Sequence, residues 1–274
     1  MRAVLAMRSK LRVRQRRAVE RWLDSDRRRA WIRSGVAGPL TALVGRHLLH
    51  CFGDSHAVVF REIARRGMLP HTVLDVAVIA GATAVGLANP NSRTRALPRF
   101  ERIIRALPPR RPLLFMLGEV DCGFVIWYRA HRKRVSPIAE LDRSLQHYTR
   151  FLERLLGAGR QRIVVAAAPP PTILDGQDWG EVANLRREVR TSLQDRTELT
   201  FEYNDRLREW TRREGCVFLD YEPDLIDAST GLVAARFLNP NPLDHHLAAG
   251  PFAQWSHAIC GLPGLPSLAC PAEH

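Results

Sequence analysis

The feature that most constrains this chain is a fivefold alternation of short apolar runs with longer segments of helical period. The runs are His47–Phe52, Thr72–Ala80, Pro112–Leu117, Arg162–Ala168 and Cys216–Tyr221. Between them lie helical patterns at Ala57–Arg66, Arg93–Leu107 (closed by Pro108-Pro109), Pro137–Leu156 (stopped by Gly157 and Gly159) and Glu181–Arg213. A last helix is expected within Leu247–Ile259. Near-continuous apolar strands need cover on both faces, and crossovers of this length join parallel strands. The expected fold class is therefore α/β: a three-layer α/β/α sandwich around a five-stranded parallel sheet, flavodoxin-like. Ligand sites in such a sheet open at the carboxyl ends of its strands.

Charge divides the chain. Of 41 basic residues 13 fall in residues 1–50, against three acids there (Glu20, Asp24, Asp26), so the remainder is nearly balanced. Lysine occurs only at Lys10 and Lys133, so the basicity is arginine. The expected organisation is a basic helical leader (1–40), an α/β domain (41–262) and a C-terminal tail (263–274). Residues 1–33 carry an apolar stripe of Ala18, Val19, Trp22 and Leu23 among arginines. Such a helix either packs on its own domain or makes peripheral contact with anionic lipid or an acidic partner. Because the excess charge sits in the leader, nucleic acid is not an expected partner.

No run reaches the roughly 18–20 continuous apolar residues of a membrane-spanning helix, and no compact apolar signal core is seen. A cytoplasmic location is the expectation. The five cysteines form no C-x-x-C pair and no zinc spacing. Cys51, Cys122 and Cys216 read as small buried hydrophobes, while Cys260 and Cys270 are spaced so that an oxidising compartment could join them.

The run Gly53-Asp54-Ser55-His56 ends the first strand and opens a helix. A hydroxyl there lies at the ligand edge of the sheet, where free helical N–H groups favour a developing oxyanion. The same position suits a serine acting only as a helix N-cap. Asp54 and Asp121 are expected to hold strand-end loops through backbone N–H groups.

The order of motifs resembles the SGNH/GDSL hydrolase superfamily over roughly residues 47–250. Phe52-Gly53-Asp54-Ser55-His56 is similar to its first block, with Ser55 as the serine nucleophile. Gly81 through Asn91 (Gly-Ala-Thr-Ala-Val-Gly86-Leu-Ala-Asn89-Pro-Asn91) is similar to the second. Gly118-Glu119-Val120-Asp121 stands where the family has Gly-x-Asn-Asp, and with Cys122 it resembles a subset having Gly-Asp-Ser-His and Gly-Glu-(Ile/Val)-Asp-Cys blocks. Tyr203-Asn204-Asp205-Arg206-Leu207 resembles the Tyr-Asn-x-x-Leu run, and Leu243-Asp244-His245-His246-Leu247 stands at the Asp-x-x-His-Leu block.

The resemblance implies an esterase with a catalytic triad of Ser55, His246 and Asp244, acting on an O-acyl, chiefly O-acetyl, group of a carbohydrate or small metabolite. The oxyanion hole would use the N–H groups of Ser55 and Gly86, with Gly81 the other candidate glycine. Val120 replaces the family's oxyanion asparagine, which leaves Asn89 or Asn91 as candidate amides. His56 and Glu119 would line the pocket, Glu119 facing a loop amide or an arginine. Asp244 precedes His246 by two residues where the family has three, which puts Leu243 at the usual acid position. In an extended segment residues two apart share a side, so Asp244 can still orient His246; His245 is the rival base. Arg129-Ala-His-Arg-Lys-Arg134 is read as a solvated loop, or as a basic lip at the mouth of the site. No metal and no cofactor is implied. The alternatives are a weakened domain that binds a glycan or protein partner, and an acyltransferase using the same serine.

Overall fold

The run His47-Leu-Leu-His-Cys-Phe-Gly53 forms the central strand β1 (His47–Gly53), six of whose seven residues are buried. This is a computed structural model, and it describes residues 40, 47–69, 72–176, 191–241 and 244–252. Strand β1 pairs in parallel with β2 (Thr72–Val78) on one side and β3 (Leu113–Met116) on the other. Beyond β3 lie β4 (Ile163–Ala166) and β5 (Val217–Leu219), also parallel. The order is β2-β1-β3-β4-β5, the flavodoxin-like arrangement that the sequence leads one to expect.

Alternate strand residues enter two different cores, as the two-residue period of a strand requires. Phe52, Phe115 and Val165 point to one face, where they meet Phe100, Tyr148, Phe151, Tyr203 and Leu207. Those residues come from α2 (Ala96–Ala106), α4 (Pro137–Gly157) and α5 (Leu193–Arg213). Phe52 stacks on Phe115 at 5.1 Å and meets Phe100 edge-on at 5.5 Å. Leu49, Cys51, Leu114 and Met116 point to the other face, against Phe60 and Ile63 of α1 (Val58–Arg65). Across β1 and β2, His50 Nδ1 lies 3.2 Å from Asp75 Oδ2, a buried polar pair in register within an otherwise apolar sheet.

Local chemistry sets the helix ends. Ser136 caps α4 by accepting the Ala139 N–H, with Pro137 at the first turn. Ser192 and Asp195 form a reciprocal capping box at the start of α5. The buried Arg160 guanidinium donates to the carbonyls of Ile104, Leu107 and Pro108 and so ties down the chain at the end of α2.

The basic run at 129–134 is not a loop. Asp121–Val125 makes a π-turn that continues into α3 (Ile126–Lys133), with Arg134 in a left-handed C-cap. Arg129 Nε and Lys133 Nζ clasp the buried Glu140 at 2.8 and 2.7 Å. Those cations therefore brace α3 on α4. Two further short helices are α6 (Glu222–Leu225) and α7 (Ala249–Phe252), the latter packed on α1.

The proposed leader helix, the tail, Cys260, Cys270, residues 181–190 of the predicted long helix and 253–259 of the predicted last one lie outside the described residues. Among those described, no helix is long and apolar enough to cross a membrane.

Candidate active site

Gly53 must be glycine for the first strand to end as it does. A Cβ there would come within 2.5 Å of the Met116 carbonyl oxygen and 2.6 Å of Ala57 Cβ. The close approach turns the chain abruptly into a 3-10 turn, Ser55–Ala57, that runs on into α1. Asp54 is the N-cap of that turn. Its Oδ1 accepts the His56 N–H at 2.8 Å and meets His56 Nδ1 at 3.1 Å, both residues being buried. Ser55 sits between them, half-exposed. Neither its N–H nor its Oγ makes a hydrogen bond among the described residues.

The same turn recurs near the other end of the chain. Asp244 Oδ1 accepts the His246 N–H at 3.0 Å and meets His246 Nδ1 at 2.5 Å. Burial raises the Asp244 carboxyl, but the bonds from the His246 backbone and ring outweigh it and hold the group below its ordinary value. An ionised carboxylate only accepts, so the shared proton belongs to Nδ1 and Nε2 is left as the basic nitrogen. His246 Nε2 is buried with no hydrogen-bond partner. The contacts that hold the segment include Thr172 Oγ1, from the loop after β4, which donates to the His245 carbonyl, the Asp244 N–H donating to the Asn241 carbonyl at 2.9 Å, the Ala248 N–H donating to the Phe237 carbonyl at 2.8 Å, and the buried Leu247. The His246 ring lies 4.7 Å from that of His56 and 4.4 Å from that of His245. Leu243 lies outside the described residues.

Strand β3 supplies the third side. Gly118 adopts a φ of 131°, and a Cβ there would fall 2.7 Å from Ala168 Cβ and 2.8 Å from the Tyr203 ring. Glu119, buried, puts Oε2 3.5 Å from His56 Nε2. His56 is a partner that the sequence did not suggest for it.

Asp121 holds the loop after β2 in place. Its carboxylate accepts Ala84 N–H at 2.7 Å, Val85 N–H at 3.1 Å and the Ser144 hydroxyl at 2.9 Å. Burial pushes its pKa up from 3.8 to about 6, against the pull of those three bonds. Ser144 contributes from the middle of α4, far along the chain from the second block, and belongs to no motif.

Local contacts distinguish the oxyanion candidates. The Gly86 N–H is already used, donating to the Thr83 carbonyl at 3.1 Å and to Thr83 Oγ1 at 2.9 Å. Asn89 and Asn91 form an exposed turn in which the Asn89 side chain accepts the Asn91 N–H at 2.9 Å. By contrast the Gly81 N–H, at the end of the loop leaving β2, makes no hydrogen bond among the described residues.

Two further residues shape the strand ends. Asn204 brackets Ala168, accepting its N–H at 2.8 Å and donating to its carbonyl at 3.0 Å. The Tyr221 hydroxyl, fully buried, donates to the Ala167 carbonyl. Asn204 falls in a run singled out from the sequence, whereas Thr172, Ser144 and Tyr221 belong to no motif recognised there. The structure thus gathers Ser55, His56, Glu119, His245, His246 and Asp244 at one edge of the sheet, and leaves Asn89 and Asn91 in a surface turn.

No family model matches the chain, and no curated protein matches its sequence. Solved structures do. A protein from Bacteroides fragilis assigned as an acylhydrolase is 12% identical, with a TM-score of 0.52 over 84% of this chain and 94% of that one. A GDSL-like lipase from Bacteroides thetaiotaomicron is 11% identical, with a TM-score of 0.50 over 81% and 92%. A carbohydrate acetylesterase from Sinorhizobium meliloti is 14% identical, with a TM-score of 0.50 over 78% and 96%.

Proposed function

From a chain with the fold of the SGNH/GDSL hydrolases, we propose an esterase in which Ser55 is the nucleophile, His246 the base and Asp244 the group that orients it. One observation carries the reading: His246 Nδ1 is fixed on Asp244 at 2.5 Å while its Nε2 is buried and unpartnered. That is the tautomer and orientation a general base for a serine hydroxyl needs. Ser55 opens the 3-10 turn whose next residue, His56, has its ring 4.7 Å from that of His246, and Ser55 Oγ makes no hydrogen bond among the described residues. Proton transfer needs the two atoms to close to hydrogen-bond distance when substrate binds, as happens in many apo sites.

The steps follow from these positions. His246 Nε2 takes the Ser55 proton as Oγ attacks the acyl carbonyl, and the imidazolium is stabilised by Asp244. The oxyanion is received by the N–H groups of Ser55 and Gly81, since the Gly86 N–H is engaged with Thr83. His246 returns its proton to the departing alcohol, and water or a second alcohol then releases the acyl group. Asp244 bonds His246, which favours that residue over His245 as the base. An O-acyl carbohydrate or small metabolite is the substrate class, by analogy with the acetylesterase whose fold the chain shares.

The test is labelling of the full chain with a fluorophosphonate, mapped by mass spectrometry, beside hydrolysis of a generic acetyl ester. Adduct at Ser55, with both signals lost in Ser55→Ala, is the expected result. Ester hydrolysis that survives Ser55→Ala would overturn the assignment.

A further inference from the structure

The triad leaves two imidazoles of the site without a task. Ring nitrogens of His56, His245 and His246 all lie within 4.8 Å of one another. They come from opposite ends of the chain, and the fold alone brings them together. We propose that these three histidines form a binding site for a divalent cation of the zinc class, with the fourth position open to water.

The second shell is already built for it. Metal-bound imidazoles characteristically donate their other N–H to a carboxylate, which fixes the ring and makes the ligating nitrogen more basic. Both Asp-x-His turns have that form: His56 Nδ1 faces Asp54 at 3.1 Å and His246 Nδ1 faces Asp244 at 2.5 Å. In each the Nε2 is the ring nitrogen turned away from the aspartate. His246 Nε2 is buried and unpartnered. Glu119 Oε2 lies 3.5 Å from His56 Nε2, at the margin of the cluster.

Distance and donor type select the ion. Zinc holds imidazole nitrogens at about 2.0–2.1 Å in a tetrahedron, so ligating nitrogens stand about 3.4 Å apart. Ring rotation with a shift on the order of 1 Å by the half-exposed His245–His246 segment closes the cluster to that spacing. A set of three imidazoles suits zinc over magnesium or calcium, which take oxygen ligands.

The consequence for activity rests on the serine reading, whereas the binding does not. His246 Nε2 has one lone pair. Bound to a cation, it is unable to accept the Ser55 proton, so the loaded protein is inactive until the ion leaves.

The experiment is isothermal titration of zinc into chelator-treated, full-length protein, compared across wild type, Ser55→Ala, His245→Gln and His56→Gln, with thermal melting of each. One zinc per chain is expected, with Kd below about 10 µM and a loss of about tenfold or more in both histidine variants. Ser55→Ala should bind as wild type does. His245→Gln lies on a half-exposed segment, so it keeps the test decisive if His56→Gln does not fold. No uptake, or uptake unchanged in His245→Gln, would overturn the site. Zinc binding in a protein inert to esters and to fluorophosphonate would instead overturn the serine reading and leave the metal site standing.

Discussion

The two Asp-x-His turns are the same device in two different settings. At 54–56 the aspartate and the histidine are both buried, and the turn joins a central strand to its helix. At 244–246 the Asp244 side chain is 40% exposed and the His246 side chain 21%, and a few contacts tie the segment to the rest. Identical local hydrogen bonding therefore has different consequences. In the first turn it satisfies buried polar groups whose loss would cost the fold; in the second it sets the tautomer of a ring that needs room to move.

The largest expected effect separates the turns by activity. Asp244→Asn keeps a similar shape but favours the wrong imidazole tautomer, so kcat for an acetyl ester should fall on the order of 10⁴-fold. The melting temperature should stay within a few degrees. A large drop in melting temperature would show that the second turn is structural too. Next comes Asp54→Ala, which strips the buried His56 of its partner and the 3-10 turn of its cap. It should destabilise the protein by about 2–4 kcal/mol in urea unfolding, and a variant of wild-type stability would erase the contrast.

Asp121→Asn should cost about 1–3 kcal/mol, because an amide cannot accept both the Ala84 and the Val85 N–H. Its pH dependence has a definite sign. The folded carboxyl titrates near 6, above its ordinary 3.8, so the folded state holds the proton more tightly than the unfolded state. The group contributes stability below about 3.8 that is lost as pH rises to about 6, and this offset is of order 3 kcal/mol. The gap between wild type and Asp121→Asn should therefore be wider at pH 4 than at pH 7, as read by unfolding curves at both. Smallest is Thr172→Val, which removes the donor to the His245 carbonyl. About 1 kcal/mol of stability is expected to go, and kcat/KM should fall more than stability does if the second turn needs positioning.

How much was legible follows from the range of the interactions. The sheet and its order were readable because strand runs and turn residues are local. Gly53-Asp54-Ser55-His56 was readable for the same reason, as the cap, the hydroxyl and the helix start are adjacent. Gly86 and Gly81 were not separable, since the choice turns on whether Thr83 consumes an N–H, and sequence pattern carries no such record. The helix at 126–133 was hidden because the π-turn at 121–125 offsets the 3.6-residue period on which helix reading depends. Its cations read as solvated because their buried partner, Glu140, belongs to the next helix. The pairing of His56 with Glu119 joins two strand ends, and only the sheet order β2-β1-β3 makes them neighbours.

The light tethering of the His245–His246 segment has a consequence for how the molecule loses function. The segment's anchors among the described residues include Thr172, backbone bonds from Ala248 and Asp244, and the buried side chain of Leu247. Stability of this kind is regional, and weakly anchored pieces open as units of their own well before the core. The proposed catalytic centre would then come apart while the sheet stays intact, so that heat or mild denaturant would switch any such activity off reversibly at a threshold below global unfolding.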